Sequence, residues 1–96
     1  MIASFRDKAT EALFHGERGK AIREIPSAIR SVAVRKLDQL NAAVEIGDLR
    51  APPGNRLEAL RGDLAGKHSI RVNDQWRIVF RWEAGDAHEV EIVEYH

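Results

Sequence analysis

The residues of this 96-residue chain that could do chemistry are charged, and they cluster late in the sequence. There is no phosphate-cradling glycine loop, no His-Glu-x-x-His pair, no calcium loop and no serine elbow. The four histidines, His15, His68, His88 and His96, do not have metal-ligand spacing, and the absence of cysteine removes thiolate zinc sites and disulfides. No metal and no cofactor is expected. Over 75–82 the chain alternates, with Trp76, Ile78, Phe80 and Trp82 on one parity and Arg77, Val79 and Arg81 on the other. Over 88–95, Val90 and Ile92 share one parity, and Glu89, Glu91, Val93 and Tyr95 the other. Joined by Arg71, the second set makes a charged, wet sheet face. Such a face either grips an anion through its arginines or is a ladder of cross-strand Arg–Glu pairs, each worth about a few tenths of a kcal/mol.

Total charge does not decide between these readings. The formal net charge is zero, yet residues 1–82 hold all fifteen Lys and Arg against ten acids, and 83–96 hold five acids with no Lys or Arg. A dipolar molecule can bind an anion on one flank while its total reads zero.

The elements that must position these residues follow from periodicity and punctuation. A short strand is expected at 2–5, then a helix from about Lys8 to Phe14 closed by His15-Gly16. Residues 17–25 read as an irregular connection with a turn of helix. A longer helix begins at Pro26 or Ser27 and runs to about Val44, with Ile29, Ala33, Leu37, Leu40 and Val44 as its apolar stripe. Arg30, Arg35, Lys36 and Asp38 lie off that stripe and are expected to be wet. Pro52-Pro53-Gly54 enforces a loop over 47–55. Strands follow at 56–60, 69–72, 75–82 and 88–95, joined by turns at Gly62-Asp63, at Asn73-Asp74 as a two-residue hairpin, and around Gly85-Asp86. If Arg81 faces Glu89, then Val79 faces Glu91 and Arg77 faces Val93. Trp76 belongs to the core parity. The expected fold is α+β, N-terminal helices packed on a small, mostly antiparallel sheet, with residues 1–96 as a single domain. No apolar run approaches membrane-spanning length, and Arg6, Asp7 and Lys8 stand where a signal peptide needs apolar residues, so a cytoplasmic protein without membrane contact is expected.

Three stretches then stand out together: Leu-Glu-Ala-Leu-Arg-Gly-Asp-Leu at 57–64, Ser-Ile-Arg-Val-Asn-Asp-Gln-Trp-Arg-Ile-Val-Phe at 69–80, and Gly-Asp-Ala-His-Glu-Val-Glu-Ile-Val-Glu-Tyr-His at 85–96. With the opening Met-Ile-Ala-Ser-Phe-Arg-Asp-Lys, they resemble the HigB-like plasmid-maintenance killer proteins of the RelE/ParE toxin superfamily, over essentially the whole chain. The resemblance implies a RelE-like fold and the toxin of a type II toxin–antitoxin pair. Its activity would be metal-independent, ribosome-dependent mRNA endoribonuclease chemistry that inhibits translation. The implied partners are a helix-turn-helix, HigA-like antitoxin and the ribosome with its mRNA.

The resemblance also implies roles for single residues. Arg77 corresponds to the family's phosphate-binding arginine, and Tyr95 and His96 to its C-terminal functional pair. Arg61 stands where many relatives carry lysine, and Glu58 where some carry histidine; Arg71 adds a further donor. An arginine at 61 can clamp phosphate but cannot donate a proton near neutral pH. Glu58 could accept a proton only with a raised pKa. His96 is left as the group whose reference pKa suits proton transfer. The plain alternatives are a strand ion pair with Glu91 for Arg77 and an idle chain end for His96. With Arg77 on a wet face, Arg77→Ala is expected to cost little stability. Two other functions fit the same fold, a toxin acting on DNA gyrase and a non-catalytic protein-binding module.

Overall fold

The computed structural model describes residues 1–95. The first helix, α1 (Lys8–Phe14), starts where Asp7 accepts the Thr10 backbone N–H at 2.8 Å, a side-chain cap on an otherwise orphan donor. A single 3₁₀ turn, Ala21–Glu24, occupies the irregular connection. Helix α2 (Ser27–Ala42) follows Pro26 and buries Ile29, Ala33, Leu37 and Leu40 along one stripe. Two expectations fail on this helix. Val44 is not in the stripe: the helix ends at Ala42, the backbone turns extended at Ala43, and Val44 is 75% exposed. Lys36 is not wet. It is buried, and its ammonium donates to the side-chain oxygen of Asn55.

Strands β1 (Glu58–Ala59), β2 (Lys67–Arg71), β3 (Trp76–Glu83) and β4 (Asp86–Glu94) form one antiparallel sheet in sequence order. The expected first strand is reduced to two parallel bridges on the outer side of β4, Ile2 with Ala87 and Phe5 with Val90. Backbone hydrogen bonds from Ala3 to Ala87 (2.7 Å) and from Arg6 to Val90 (2.9 Å) hold it there. Ile70, Ile78, Phe80, Ala87, Val90 and Ile92 pack with the stripe of α2 into the core, and Trp76 and Trp82 lie partly buried against it. The parity read for β3 is therefore the parity of the fold. Among the described residues no helix is long and apolar enough to cross a membrane.

The hairpins show where simple alternation breaks down. Between β3 and β4 the turn is Ala84-Gly85, both with positive φ (53° and 82°), a geometry that follows the twist of paired strands. Arg77 faces Val93 and Val79 faces Glu91 as expected, but Arg81 faces His88. A β-bulge centred on Glu89 (φ 53°) inserts one residue, and so puts both Ala87 and Val90 on the core side. The β2–β3 connection is longer than the expected pair. Arg71 opposes Arg77 and Val72 bonds Trp76, leaving residues 73–75 as the loop. Asn73 shapes it, its side-chain oxygen accepting the N–H groups of Gln75 and Trp76, both at 2.8 Å.

The second sheet face is not the uniformly wet surface expected. Val79 is 2% exposed, Arg77 6%, and Ser69 fully buried. The loop after α2 folds over this end of the face and brings backbone to Arg77.

Candidate active site

Two 3₁₀ turns, Ile46–Arg50 and Pro53–Asn55, carry the chain from α2 to β1. The first is fixed by a reciprocal cap in which Asp48 accepts the N–H groups of Glu45 and Val44, both at 3.0 Å. Those two bonds, Glu45 first, hold the Asp48 carboxyl below the usual aspartate range. The second turn ends at Asn55, which is fully buried. Its side-chain amide donates to the Leu49 carbonyl (3.2 Å), the Ala51 carbonyl (3.3 Å) and Gln39 Oε1 (3.2 Å), while its oxygen takes the Lys36 ammonium. Burial, with Arg35 and Arg71 nearby, lowers the Lys36 pKa. Arg56 then adopts a left-handed backbone conformation (φ 44°) that reverses the chain.

This reversal aims the Arg56 carbonyl at Arg77. The Arg77 guanidinium donates from Nη2 to that carbonyl at 3.1 Å and from Nη1 to Ser69 Oγ at 2.6 Å. Glu58 lies 3.3 Å from Nη1, and the Tyr95 ring sits 5.6 Å from the guanidinium carbon, within cation–π range. Arg77 therefore pairs with Glu58 and not with Glu91, which is held at 2.9 Å by Arg6. Tyr95 is anchored as well, its N–H donating to the Gln75 carbonyl in the β2–β3 loop.

These groups line a cleft of about 200 Å³. Of the residues singled out in the sequence, Arg77, Tyr95, Glu58 and Arg71 meet there. Arg61 does not line it; it is exposed at the start of the Gly62–Leu64 turn. His96 lies outside the described residues. Sequence reasoning missed three others on the rim, Arg56, Asn73 and Asp74. The only signal for them was turn chemistry, an Asn-Arg after Pro-Pro-Gly and an Asn-Asp at a hairpin. Asp74 forms an ion pair with Arg71.

Four acids of the tail pair with three cations within the fold. Asp86 is 3.4 Å from the N-terminal ammonium, Glu91 pairs with Arg6, and Arg81 pairs with both Glu83 and Glu89. The bond from Arg81 holds the Glu89 carboxyl below its usual range, and Glu89 and then Glu83 raise Arg81 in turn. Arg81 thus belongs to a ladder of pairs, whereas Arg77 belongs to a cleft. No cluster of three or more His, Cys, Asp or Glu residues suited to a metal ion occurs among the described residues.

A fixed guanidinium in a small polar cleft, flanked by further arginines and an aromatic ring, is suited to a phosphodiester. Comparison with known families gives the chain its place. The profile described as "RelE-like toxin of type II toxin-antitoxin system HigB" matches residues 3–96. The chain belongs to the HigB-like toxins of the RelE/ParE superfamily. This HigB-like toxin is 48% identical over 87 residues to "Toxin HigB-1" of Vibrio cholerae, covering 91% of this chain and 90% of that protein. It is 34% identical over 96 residues to "Endoribonuclease HigB" of Proteus vulgaris, covering the whole of both. A solved chain in the heterotetrameric YoeB–YefM toxin–antitoxin complex of Staphylococcus aureus superposes on it with a TM-score of 0.60 at 14% identity, over 100% of this chain and 98% of that one. That last likeness concerns the fold alone.

Proposed function

We propose that this HigB-like toxin is a ribosome-dependent mRNA endoribonuclease that inhibits translation in the cytoplasm. In this reading residues 1–96 act as a single toxin domain, without a cofactor, and a HigA-like helix-turn-helix antitoxin neutralises it. The observation that carries the reading is the Arg77 guanidinium held in a cleft by Ser69 and the Arg56 carbonyl. The full-length match to a relative named as an endoribonuclease supports it.

The chemistry is an internal transesterification. The substrate's 2′-oxygen attacks the adjacent phosphorus, the P–O5′ bond breaks, and a 2′,3′-cyclic phosphate and a 5′-hydroxyl result. A base takes the 2′-OH proton and an acid returns one to the leaving 5′-oxygen. Arg77 stabilises the non-bridging oxygens as charge builds on the phosphorane, and its fork is already oriented before substrate arrives. Arg71 meets the neighbouring phosphate once Asp74 releases it, and Arg61 extends the cationic path outside the cleft. Tyr95, 42% exposed beside Arg77, offers a ring on which an unstacked base rests. His96 carries the proton transfer, since Arg61 and Arg77 stay charged near neutral pH, and Glu58 supports the site as the carboxylate beside the clamped arginine.

The test uses ribosomes programmed with a defined mRNA, primer extension to read the cuts, and a melt to check folding. Wild-type protein should cut, and truncation after Glu94, which removes Tyr95 and His96 but no buried residue of β4, should leave a folded and inactive toxin. No cleavage by folded wild-type protein on programmed ribosomes, with loss of gyrase activity in a DNA supercoiling assay instead, would overturn the reading.

A further inference from the structure

The loop that caps Arg77 is held from below by a polar cluster that the proposed reaction does not use. Asn55 stands at its centre, fully buried, and its side chain bonds two loop carbonyls and Gln39 of α2. An amide has two N–H donors, so three acceptors at 3.2–3.3 Å share them, and small changes in amide direction move all three contacts together. The Asn55 oxygen takes the Lys36 ammonium from the adjacent helix. One residue later the Arg56 carbonyl receives Arg77 Nη2. The path from α2 to the guanidinium is therefore continuous: Lys36, the Asn55 amide, the left-handed backbone at Arg56, then Arg77.

Packing alone does not call for these side chains. Burying an ammonium and an amide costs free energy unless every partner is supplied, and an apolar pair of similar volume would fill the same space. The two groups nevertheless face each other under the loop that sets the Arg56 carbonyl. We infer that Asn55, oriented by Lys36, is the positioning residue that fixes the direction of the Arg77 guanidinium. Its side-chain hydrogen bonds run to Lys36, Gln39 and the carbonyls of Leu49 and Ala51, four residues that do not line the cleft. Its effect reaches the phosphate through the Arg56 carbonyl. Lys36 sets which way the amide faces, because only the oxygen can accept from an ammonium, and the nitrogen is thereby turned to the carbonyls of Leu49 and Ala51. The catalytic half of this inference rests on the endoribonuclease reading; the structural half does not.

Two readouts keep those halves apart. The first is nitrogen NMR of the arginine side chains in the full-length toxin. A guanidinium held at both Nη atoms rotates slowly and shows resolved Nη signals, which are assigned to Arg77 by their loss in Arg77→Lys. The second is turnover and KM on ribosomes programmed with a defined mRNA. Lys36→Met keeps the stem and removes the donor, and Asn55→Ser keeps the backbone and removes the amide. Both should merge the Arg77 signals and lower turnover by about 10–100-fold with KM little changed, in protein that still melts cooperatively. Lys36→Arg should restore part of each. Merged signals in a protein whose wild type does not cleave mRNA would support the positioning role and sink the endoribonuclease reading. Folded variants with wild-type Arg77 signals, or variants of both residues that lose the signals only by losing the cooperative melt, would overturn the inference.

Discussion

Arg77→Lys keeps a positive charge in the cleft and removes the fork. In the wild-type toxin, Ser69 Oγ and the Arg56 carbonyl bind separate guanidinium nitrogens at 2.6 Å and 3.1 Å. Lysine has all its donors on one nitrogen and reaches one partner or the other. One hydrogen bond to a charged group is lost, worth about 1.5–3 kcal/mol. For a domain of this size each kcal/mol moves the melting point by roughly 4–8 °C, so a loss near 2 kcal/mol lowers it by about 8–16 °C. Turnover should fall further than stability, by about 10²–10³-fold, because the paired donors that meet the phosphorane are no longer presented together. Circular dichroism melts and primer extension on programmed ribosomes measure the two quantities on the same preparation. Arg77→Ala should melt lower still, since the fully buried Ser69 hydroxyl and the Arg56 carbonyl both lose their partner, contrary to the small cost expected of a wet arginine. A lysine variant that melts and cuts like wild type would refute the clamped fork.

Asp74→Asn should free Arg71 from its ion pair and tighten binding of a short RNA, with a steeper dependence on salt in fluorescence anisotropy; unchanged affinity would show that Arg71 meets no phosphate. Ala84→Asn should raise the melting point by relieving a non-glycine residue at φ 53° in a turn that favours asparagine, a gain of about 1 kcal/mol. Asp48→Asn should lower the melting point at neutral pH. The folded Asp48 pKa lies below its unfolded value, so its contribution is whole above the ordinary aspartate range and fades as pH falls through the folded value. The gap between Asp48→Asn and wild type should therefore close in acid, and a gap that persists would remove the carboxylate's charge from the cap.

Much of this architecture could be read from residue type and spacing, and the failures have particular causes. The alternation of Trp76, Ile78, Phe80 and Trp82 gave the core face of β3 because side chains on a strand must alternate. The same rule misplaced Arg81 relative to β4, since one extra residue at Glu89 changes every pairing beyond it and leaves no mark in a period-two pattern. Residue type alone makes Lys36 a surface lysine, and its partner Asn55 lies nineteen residues away across a loop. The plain alternative for Arg77, a strand ion pair with Glu91, names the wrong carboxylate, since Glu58 is the one beside it. Glu91 is taken by Arg6 because the N-terminal segment runs beside β4, a tertiary fact with no local signature. Arg71, Glu58 and Tyr95 meet Arg77 through strand register, which sequence approximated. The Arg56 carbonyl meets it through a backbone angle, which side-chain chemistry does not reveal.

The charge asymmetry of the chain acquires a different meaning once the pairs are known. As a sequence, it reads as a basic body with an acidic tail. In the fold, four tail acids, Glu83, Asp86, Glu89 and Glu91, are matched by the N-terminal ammonium, Arg6 and Arg81 at the β3–β4 end of the sheet. These pairs offset part of the tail's charge and weaken the negative field it projects. Arg56, Arg71 and Arg77 gather instead around the cleft near the β2–β3 loop, where Glu58 and Asp74 are the lining carboxylates. Both of those carboxylates already contact an arginine, so each occupies a guanidinium that a phosphate would also seek. On the endoribonuclease reading, substrate binding is an exchange of anions at fixed cations, because Arg77 is fixed by neutral oxygens from Ser69 and Arg56 as well as by charge. An arginine held by its carboxylate alone would swing away with it. One held by a hydroxyl and a backbone carbonyl stays in place when the carboxylate leaves, and that is the state in which it can meet a phosphorane.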